Sequence, residues 1–369
     1  MEDVFRFADQ LGPEKIVHIH EPRAGLKAIV VVDNTAAGPA IGGTRMAADV
    51  STEECFRLAR AMTFKNAAAG LAHGGAKSVI FGDPSMPPAE RERLVRAFAA
   101  AIRNLEEYIP GPDMGTNETA MAWIKDEIGR AVGLPRELGG IPLDEIGATG
   151  FGLAVAAEAA QELSKVKLDG ATVVVQGFGA VGRHAARFLA GKGARLIAAS
   201  DTKGAVCDPD GLDIDRLEAL KAEGKSVADL KGAKRVRAGD MVGIACDIWI
   251  PAARPDVLRE SNVEALQARL VLQGANIPAT PGAERRMHER GILSIPDFIA
   301  NAGGVIAASV EYHGGTERAA FDTIAEKVAA NTRAVLGMSA ARCMLPREAA
   351  VELARTRVER AMSARRYQA

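Results

Sequence analysis

The chain has 369 residues, of which 48% are apolar and 25% charged, with a formal net charge of −1. This is the make-up of an ordinary globular protein with room for two or three domains. It excludes the basic footprint of a nucleic-acid or anionic-membrane binder, and no apolar run reaches the roughly 18 residues that a membrane helix needs.

The first stretch, "MEDVFRFADQLGPEK", is acidic and amphipathic, unlike a secretory signal. "HIH" at His18–His20 puts two imidazoles on one strand face, but no third ligand stands nearby, so a sheet-surface pair is expected and no metal. Residues 26–33, "LKAIVVVD", read as a strand, and "GPAIGGTR" as a glycine-rich loop. A helix is expected over Thr52–Ala68, with Ser51 as its N-cap and Glu54 completing a capping box.

"GLAHGGAKSVIFG", Gly70 to Gly82, has the glycine spacing of a phosphate-binding loop but not its order. Ala76 separates Gly75 from Lys77, and a helix precedes it while a strand follows, the reverse of what phosphate binding requires. Strand "KSVIFG", a helix over 88–106, a loop through "EYIPGPDMG" and a helix near 117–127 complete an alternating α/β pattern. "GLPRELGGIPLDEIGATG" is the best linker, with a helix at about 150–163 after it. The expected division is a first domain over 1–135, a second over 136–330, and C-terminal helices at about 331–369 that return to the first.

"ATVVVQGFGAVGRHAARFLAGKGARLIAASD" reads as strand, glycine-rich turn, helix and strand. The fingerprint glycines are Gly177, Gly179 and Gly182. They serve the tight turn, the approach to a pyrophosphate and helix–strand packing, respectively. With Phe178, Ala180 and Val181 they present the start of a helix, whose free N–H groups and positive dipole end suit phosphates. Asp201 closes the second strand and would accept hydrogen bonds from the adenine ribose, favouring NAD; Lys203 close by would tolerate a 2′-phosphate. Three further strands, within 246–253, 270–278 and 291–305, put Ala252, Asn276 and Asn301 at carboxyl ends, where the nicotinamide half is expected. From about Gly315 the chain reads as helical. The four cysteines show no C-x-x-C pair and suggest free thiols in a reducing cytoplasm.

Three ionisable residues in the first domain lie near glycines or in loops: Lys65, Lys77 and Asp113. By residue type alone, surface lysines and an N-cap aspartate explain them as well as chemistry does. Longer motifs go further. "GPAIGGTRM", "AMTFKNAAAGLAHGGAKSVI", "GPDMGTN", "ATGFG", "VVVQGFGAVG" and "ANAGGV" occur in the order and spacing of the glutamate/leucine/phenylalanine/valine dehydrogenase superfamily, which the chain resembles from about residue 25 to 315.

The resemblance implies a two-domain α/β amino-acid dehydrogenase fold, a substrate domain plus a Rossmann-like dinucleotide-binding domain, closing by a hinge near 130–150. It implies reversible oxidative deamination of an L-amino acid to a 2-oxo acid and ammonium, with NAD as cofactor, in a cytoplasmic homo-oligomer without nucleic-acid or membrane partners. Lys65 would hold the substrate carboxylate with the backbone of Gly42 and Gly43, Lys77 would be the catalytic lysine, and Asp113 would shuttle protons. Thr149 and Asn276 would contact the nicotinamide side. Family glutamate dehydrogenases carry a lysine where this chain has Ile41 and a serine where it has Ala308. Both polar anchors for a γ-carboxylate are missing, which implies an apolar substrate, branched-chain or aromatic. Gly111 matches the phenylalanine enzymes and Val305 the leucine enzymes. "GPDMGTNETAMAW" and "VEYHGG" look closer to glutamate dehydrogenases, so glutamate or an unusual amino acid is the alternative. A non-catalytic nucleotide-binding regulator is disfavoured by the intact Lys65, Lys77, Asp113 and glycine fingerprint.

Overall fold

The computed structural model describes residues 5–365. Residues 1–4 and 366–369, the outermost parts of the N-terminal stretch and of the expected C-terminal return, lie outside the described residues. None of the helices described is long and apolar enough to cross a membrane.

The chain begins with a hairpin of β1 (Lys15–Glu21) and β2 (Leu26–Asn34). His18 and His20 are exposed on one face of β1, and among the described residues no cluster of three metal-ligating side chains occurs. Then come β3 (Ala40–Ala47), α1 (Thr52–Ala68), β4 (Gly74–Phe81), α2 (Pro88–Ala101), β5 (Tyr108–Pro112) and α3 (Glu118–Ile128). The sheet order is β1-β2-β4-β3-β5; β3 runs parallel to both β4 and β5, while β2 is antiparallel to β4. One face of the sheet packs against α2 and α3 through Val30, Met46, Ile80, Phe98 and Met121. The other carries α1, with Cys55 and Ala59 over Ile29, Val31 and Val79.

Three glycine-rich segments expected as loops are strand. "AIGGTR" lies in β3, Gly74 and Gly75 begin β4, and Gly111 sits in β5. Glycine weakens a strand on propensity alone, but it permits close approach of another backbone. A Cβ on Gly75 would sit 2.0 Å from the Thr63 nitrogen of α1, and one on Gly42 1.6 Å from the Ala76 carbonyl. The helix predicted to run to residue 106 stops at Ala101.

The second sheet is built from β6 (Thr172–Gln176), β7 (Arg195–Asp201), β8 (Gly204–Cys207), β9 (Lys234–Val236), β10 (Ile248–Pro251), β11 (Leu270–Leu272) and β12 (Leu293–Ile295). Its order is β12-β11-β10-β6-β7-β8-β9, parallel from β12 to β7 and antiparallel beyond. The helices around it are α4 (Ala148–Ala159), α5 (Gln161–Ser164), α6 (Ala180–Ala190), α7 (Ile214–Ala222), α8 (Pro281–Glu289) and α9 (Asp297–Ala300). Two expected strands are shorter than read: 270–278 is strand only to Leu272, and 291–305 only over Leu293–Ile295. Pro296, at the N-cap of α9, turns the second of these into helix. The chain ends with α10 (Gly303–Tyr312), α11 (Glu317–Arg342) and α12 (Pro346–Ala364).

Contacts divide the chain into two units. The first runs to Pro142 and adds Val305–Ala320 and the chain from Val351; the second is Leu143–Gly304 with Phe321–Ala350. Buried Glu311 explains why the first unit extends past residue 135: its carboxylate accepts from the Leu134 and Ile141 amides at 3.1 and 2.8 Å. Arg357 ties α12 to the same unit by donating to the Ala67 and Ala68 carbonyls at the end of α1. Arg347, before the switch, is bound instead by Glu284 and Gln273 of the second.

Candidate active site

Sheet register builds the cluster in the first unit. Ile41 pairs with Gly75 and Thr44 with Ser78, so Gly43 stands beside Lys77; on its other side Gly43 pairs with Gly111. Lys77 therefore shares a row with two glycines. Side chains alternate along a strand, so Ile41, Gly43 and Arg45 of β3 face the same way as Lys77 of β4 and Gly111 of β5. That face is the one covered by α1.

With no side chain on Gly43, Lys77 reaches across β3 to Asp113, and its Nζ lies 2.9 Å from Oδ2. A Cβ on Gly43 would meet that Nζ at 3.0 Å and the Asp113 Cβ at 2.9 Å. Asp113 is held from behind: its amide donates to Thr116 Oγ1, and Thr116 Oγ1 donates to the Thr44 carbonyl at 2.8 Å. Beneath the row, on the opposite face, Ser78, Thr44 and Tyr108 form a buried hydroxyl cluster, with Tyr108 donating to the Gly42 carbonyl at 3.1 Å.

The Lys77 side chain is only 6% exposed. Burial lowers its pKa, against the attraction of Asp113, which favours the charged form, and with help from the Arg45 charge. For Asp113 burial acts to raise the pKa, but Lys77 and Arg45 outweigh it and hold the carboxyl below its ordinary value. The pair thus joins a lysine biased toward losing its proton with an aspartate biased toward staying ionised.

Lys65 lies in the last turn of α1, half-buried. Asn66 beside it is fully buried and donates to the Gly74 carbonyl at 2.7 Å, fixing the helix end over the start of β4. Ile41 is buried, and a Cβ on Gly111 would lie 3.2 Å from Val132 Cγ2. Val305 and Ala308 stand one turn apart on α10, half-buried and buried. Neither Ile41 nor Ala308 can donate a side-chain hydrogen bond.

The second unit carries a cluster of its own, at the carboxyl ends of its parallel strands. Gly177 has φ +100°, and its amide donates to the Ser200 carbonyl at 3.1 Å. A Cβ on Gly182 would meet the Gly177 carbonyl at 2.1 Å, whereas one on Gly179 would meet nothing within 4 Å. Gly179 is exposed and caps α6 without a side-chain hydrogen bond, so the amides of the first turn of α6 have no acceptor within the helix. This cradle fits a dinucleotide pyrophosphate. The Phe178 side chain, 1% exposed, points into the core, which leaves only its backbone for the turn. Ala252 follows β10, and Asn276 follows β11; the Asn301 amide donates to Asn276 Oδ1 at 3.1 Å. Thr149 stands in the first turn of α4, where a Cβ on Gly304 would be 3.2 Å from its Oγ1.

Asp201 is bound on both carboxylate oxygens. It ends β7 as read, but its carboxylate is already occupied. Oδ1 accepts from Ser226 Oγ at 2.8 Å and the Lys203 amide at 2.9 Å, and Oδ2 from Lys221 Nζ and the Val227 amide, both at 2.9 Å. Despite the burial that acts to raise it, these donors hold its pKa down to about 2. A ribose would have to compete with four donors of the chain. Glu54 also departs from its reading: Ser51 caps α1 by accepting from the Glu54 amide, but the Glu54 carboxylate turns to Arg45. Arg45, two residues after Gly43, also belongs to the cluster: its Nε donates to Asp113 Oδ2 at 2.8 Å, a contact that only the pairing of β3 with its neighbours reveals.

Similarity to known proteins covers both units. The family model "Glutamate/Leucine/Phenylalanine/Valine dehydrogenase" matches residues 139–366, and "Glu/Leu/Phe/Val dehydrogenase, dimerisation domain" matches residues 13–130. The NADP(+)-dependent glutamate dehydrogenase of Pyrobaculum calidifontis is 40% identical over 300 residues, covering 76% of this chain and 71% of that protein. A hetero-hexameric glutamate dehydrogenase from Thermus thermophilus, solved with Leu bound, superposes with a TM-score of 0.84 at 29% identity over 97% of this chain and 91% of that one. L-Tryptophan dehydrogenase from Nostoc punctiforme superposes with a TM-score of 0.77 at 27% identity over 96% and 98%.

Proposed function

We infer, for a chain that belongs to the glutamate/leucine/phenylalanine/valine dehydrogenase family, that it reversibly deaminates an L-amino acid to a 2-oxo acid and ammonium at the Lys77–Asp113 pair. In this reading the first unit binds substrate and the second binds the dinucleotide. The observation that carries it is the buried lysine within 2.9 Å of an ionised aspartate in a row cleared by Gly43 and Gly111.

A nicotinamide dinucleotide held by the Gly177–Gly182 turn would supply the acceptor for the α-hydride. This chain's residues do the rest. Lys65 holds the substrate carboxylate beside the backbone of Gly42 and Gly43. Asp113 takes a proton from the amino group, and neutral Lys77 takes one from the water that adds to the iminium carbon. Asp113 then returns its proton to the carbinolamine nitrogen, ammonia leaves as the carbinolamine hydroxyl gives its proton to solvent, and Lys77 sheds its own proton before the next cycle. Lys77→Ala tests the reading: substrate-dependent coenzyme reduction is expected to disappear while dinucleotide binding persists.

For the substrate we favour an apolar side chain. A γ-carboxylate facing Ile41 and Ala308 would be desolvated without a partner, which costs several kcal/mol. Glutamate is the second reading, supported by the 40% identity to a glutamate dehydrogenase. For the coenzyme we propose NAD with NADP tolerated. Asp201 is masked by its own donors, and the lysines at Lys203 and Lys221 suit a 2′-phosphate; the relative named NADP(+)-dependent supports that tolerance. We also propose a homo-oligomer formed through residues 13–130, which match the dimerisation-domain model. A reducing, cytoplasmic setting agrees with the four free cysteines.

A further inference from the structure

We propose that Arg45, anchored by Glu54, is a positioning residue that serves as the permanent counter-ion of Asp113. The proposal rests on the reading of Lys77 and Asp113 as the catalytic pair.

Arg45 Nε donates to Asp113 Oδ2 at 2.8 Å, the same oxygen that Lys77 Nζ approaches at 2.9 Å. Both cations thus meet at Oδ2. On its other side the Arg45 guanidinium donates through a terminal nitrogen to Glu54 Oε1. Glu54 lies in the first turn of α1, where the helix terminus favours a carboxylate. The three groups come from β3, α1 and the end of β5. With its side chain 19% exposed, Arg45 is largely withdrawn from water.

The chemistry explains why a second cation is needed. A lysine that works as a base must give up its proton during each cycle. At that moment Asp113 loses the charge of Lys77. A largely buried carboxylate without a counter-ion would take up a proton, and the acid and base roles would collapse into one neutral pair. Arginine does not titrate in the working range, so its charge stays throughout. Its guanidinium also bonds Asp113 and Glu54 through two different nitrogens, which holds it in place between β3 and α1.

The charged and titratable groups around Lys77 come from every element packed on it: Arg45 of β3, Asp113 at the end of β5, and Glu54, Cys55 and Lys65 of α1. From β2 comes Asp33, itself bound by Arg60 and Thr63. Cys55 donates to the Lys77 carbonyl at 3.4 Å, and burial pushes its thiol up to about 12, so it stays neutral. Arg45 is therefore the fixed positive charge bonded to the same carboxylate.

The test is the pH dependence of kcat/KM for coenzyme reduction in Arg45→Gln, Arg45→Lys and Glu54→Gln, with Lys77→Ala beside them. Removing the Arg45 charge stabilises the Lys77 ammonium, so in Arg45→Gln the rising limb moves to higher pH by about one unit, and kcat falls about tenfold or more. Arg45→Lys restores the position of the limb but not the full rate. Glu54→Gln keeps the charge and frees the guanidinium: kcat falls severalfold while the limb does not rise. A wild-type limb and kcat in folded Arg45→Gln would overturn the proposal. If that variant does not fold, wild-type kcat in Glu54→Gln would do so. Activity surviving in Lys77→Ala would instead overturn the reading of the catalytic pair.

Discussion

Lys77 stands on β4 and Asp113 just past the end of β5, two strands that are not neighbours, and their side chains meet at 2.9 Å across β3 between them. The meeting depends on an absence. Gly43 occupies the crossing point, and Gly111 leaves the far side of the row clear. A glycine pair that looks like a flexible loop in the sequence is, in the sheet, a gap of fixed size.

Gly43→Ala puts a methyl group about 3 Å from both partners. Displacing either group by roughly 1 Å is expected to lower kcat about 10²-fold. Because the dinucleotide cradle belongs to the other unit, coenzyme affinity in a fluorescence titration should be unchanged. A rate within threefold of wild type would show that the clearance is unimportant.

The pH profile follows from the two opposed influences on Lys77. Neutral lysine is the active base, so kcat/KM rises with pH through its pKa. Asp113→Asn removes the attraction that favours the ammonium and leaves burial in control. Residual activity is then expected to have its rising limb shifted to lower pH, by about one unit or more. A shift to higher pH would reverse the assigned roles.

Ile41→Lys restores a cation where the γ-carboxylate of glutamate would lie. The ratio of kcat/KM for glutamate over leucine is expected to rise by roughly 10²-fold. Melting curves establish that the buried lysine is tolerated. A wild-type enzyme already selective for glutamate would show that another group supplies the charge.

Asp201 links stability to coenzyme choice. Its pKa in the folded chain lies near 2, below its unfolded value. It therefore contributes stability that is present above about pH 4 and lost as pH falls through about 2. Asp201→Asn should destabilise the second unit by on the order of 1–2 kcal/mol at neutral pH, with the difference vanishing in strong acid. Lys221→Ala removes one of the four donors and exposes the carboxylate, so discrimination against NADP should increase about tenfold or more. Equal NADP use in wild type and variant would remove Lys221 from the coenzyme argument.

Much of this was legible from residue order. The strand–turn–helix–strand around Gly177, Gly179 and Gly182 has a pattern in which each glycine answers a local need. Thr52–Ala68 could be read to its ends because Ser51 and the apolar spacing are local signals. β3 was not legible: "AIGGTR" has poor strand propensity, and only the neighbours β4 and β5 make it a strand. Asp201 could be placed at a strand end, but its partners Lys221, Ser226 and Val227 arrive from a later segment. Glu54 had two possible partners. The local one, the Ser51 amide, was visible in the sequence; the long-range one, Arg45, is the one it binds.

The most direct measurement is the absorbance of reduced coenzyme when NAD+ or NADP+ is offered with L-leucine, L-phenylalanine, L-tryptophan and L-glutamate, for wild type and Lys77→Ala side by side. The account predicts reduction by wild type with an apolar amino acid, and none by the variant, which still binds the dinucleotide. Equal rates in the two proteins, or no reduction by wild type with any amino acid, would contradict it.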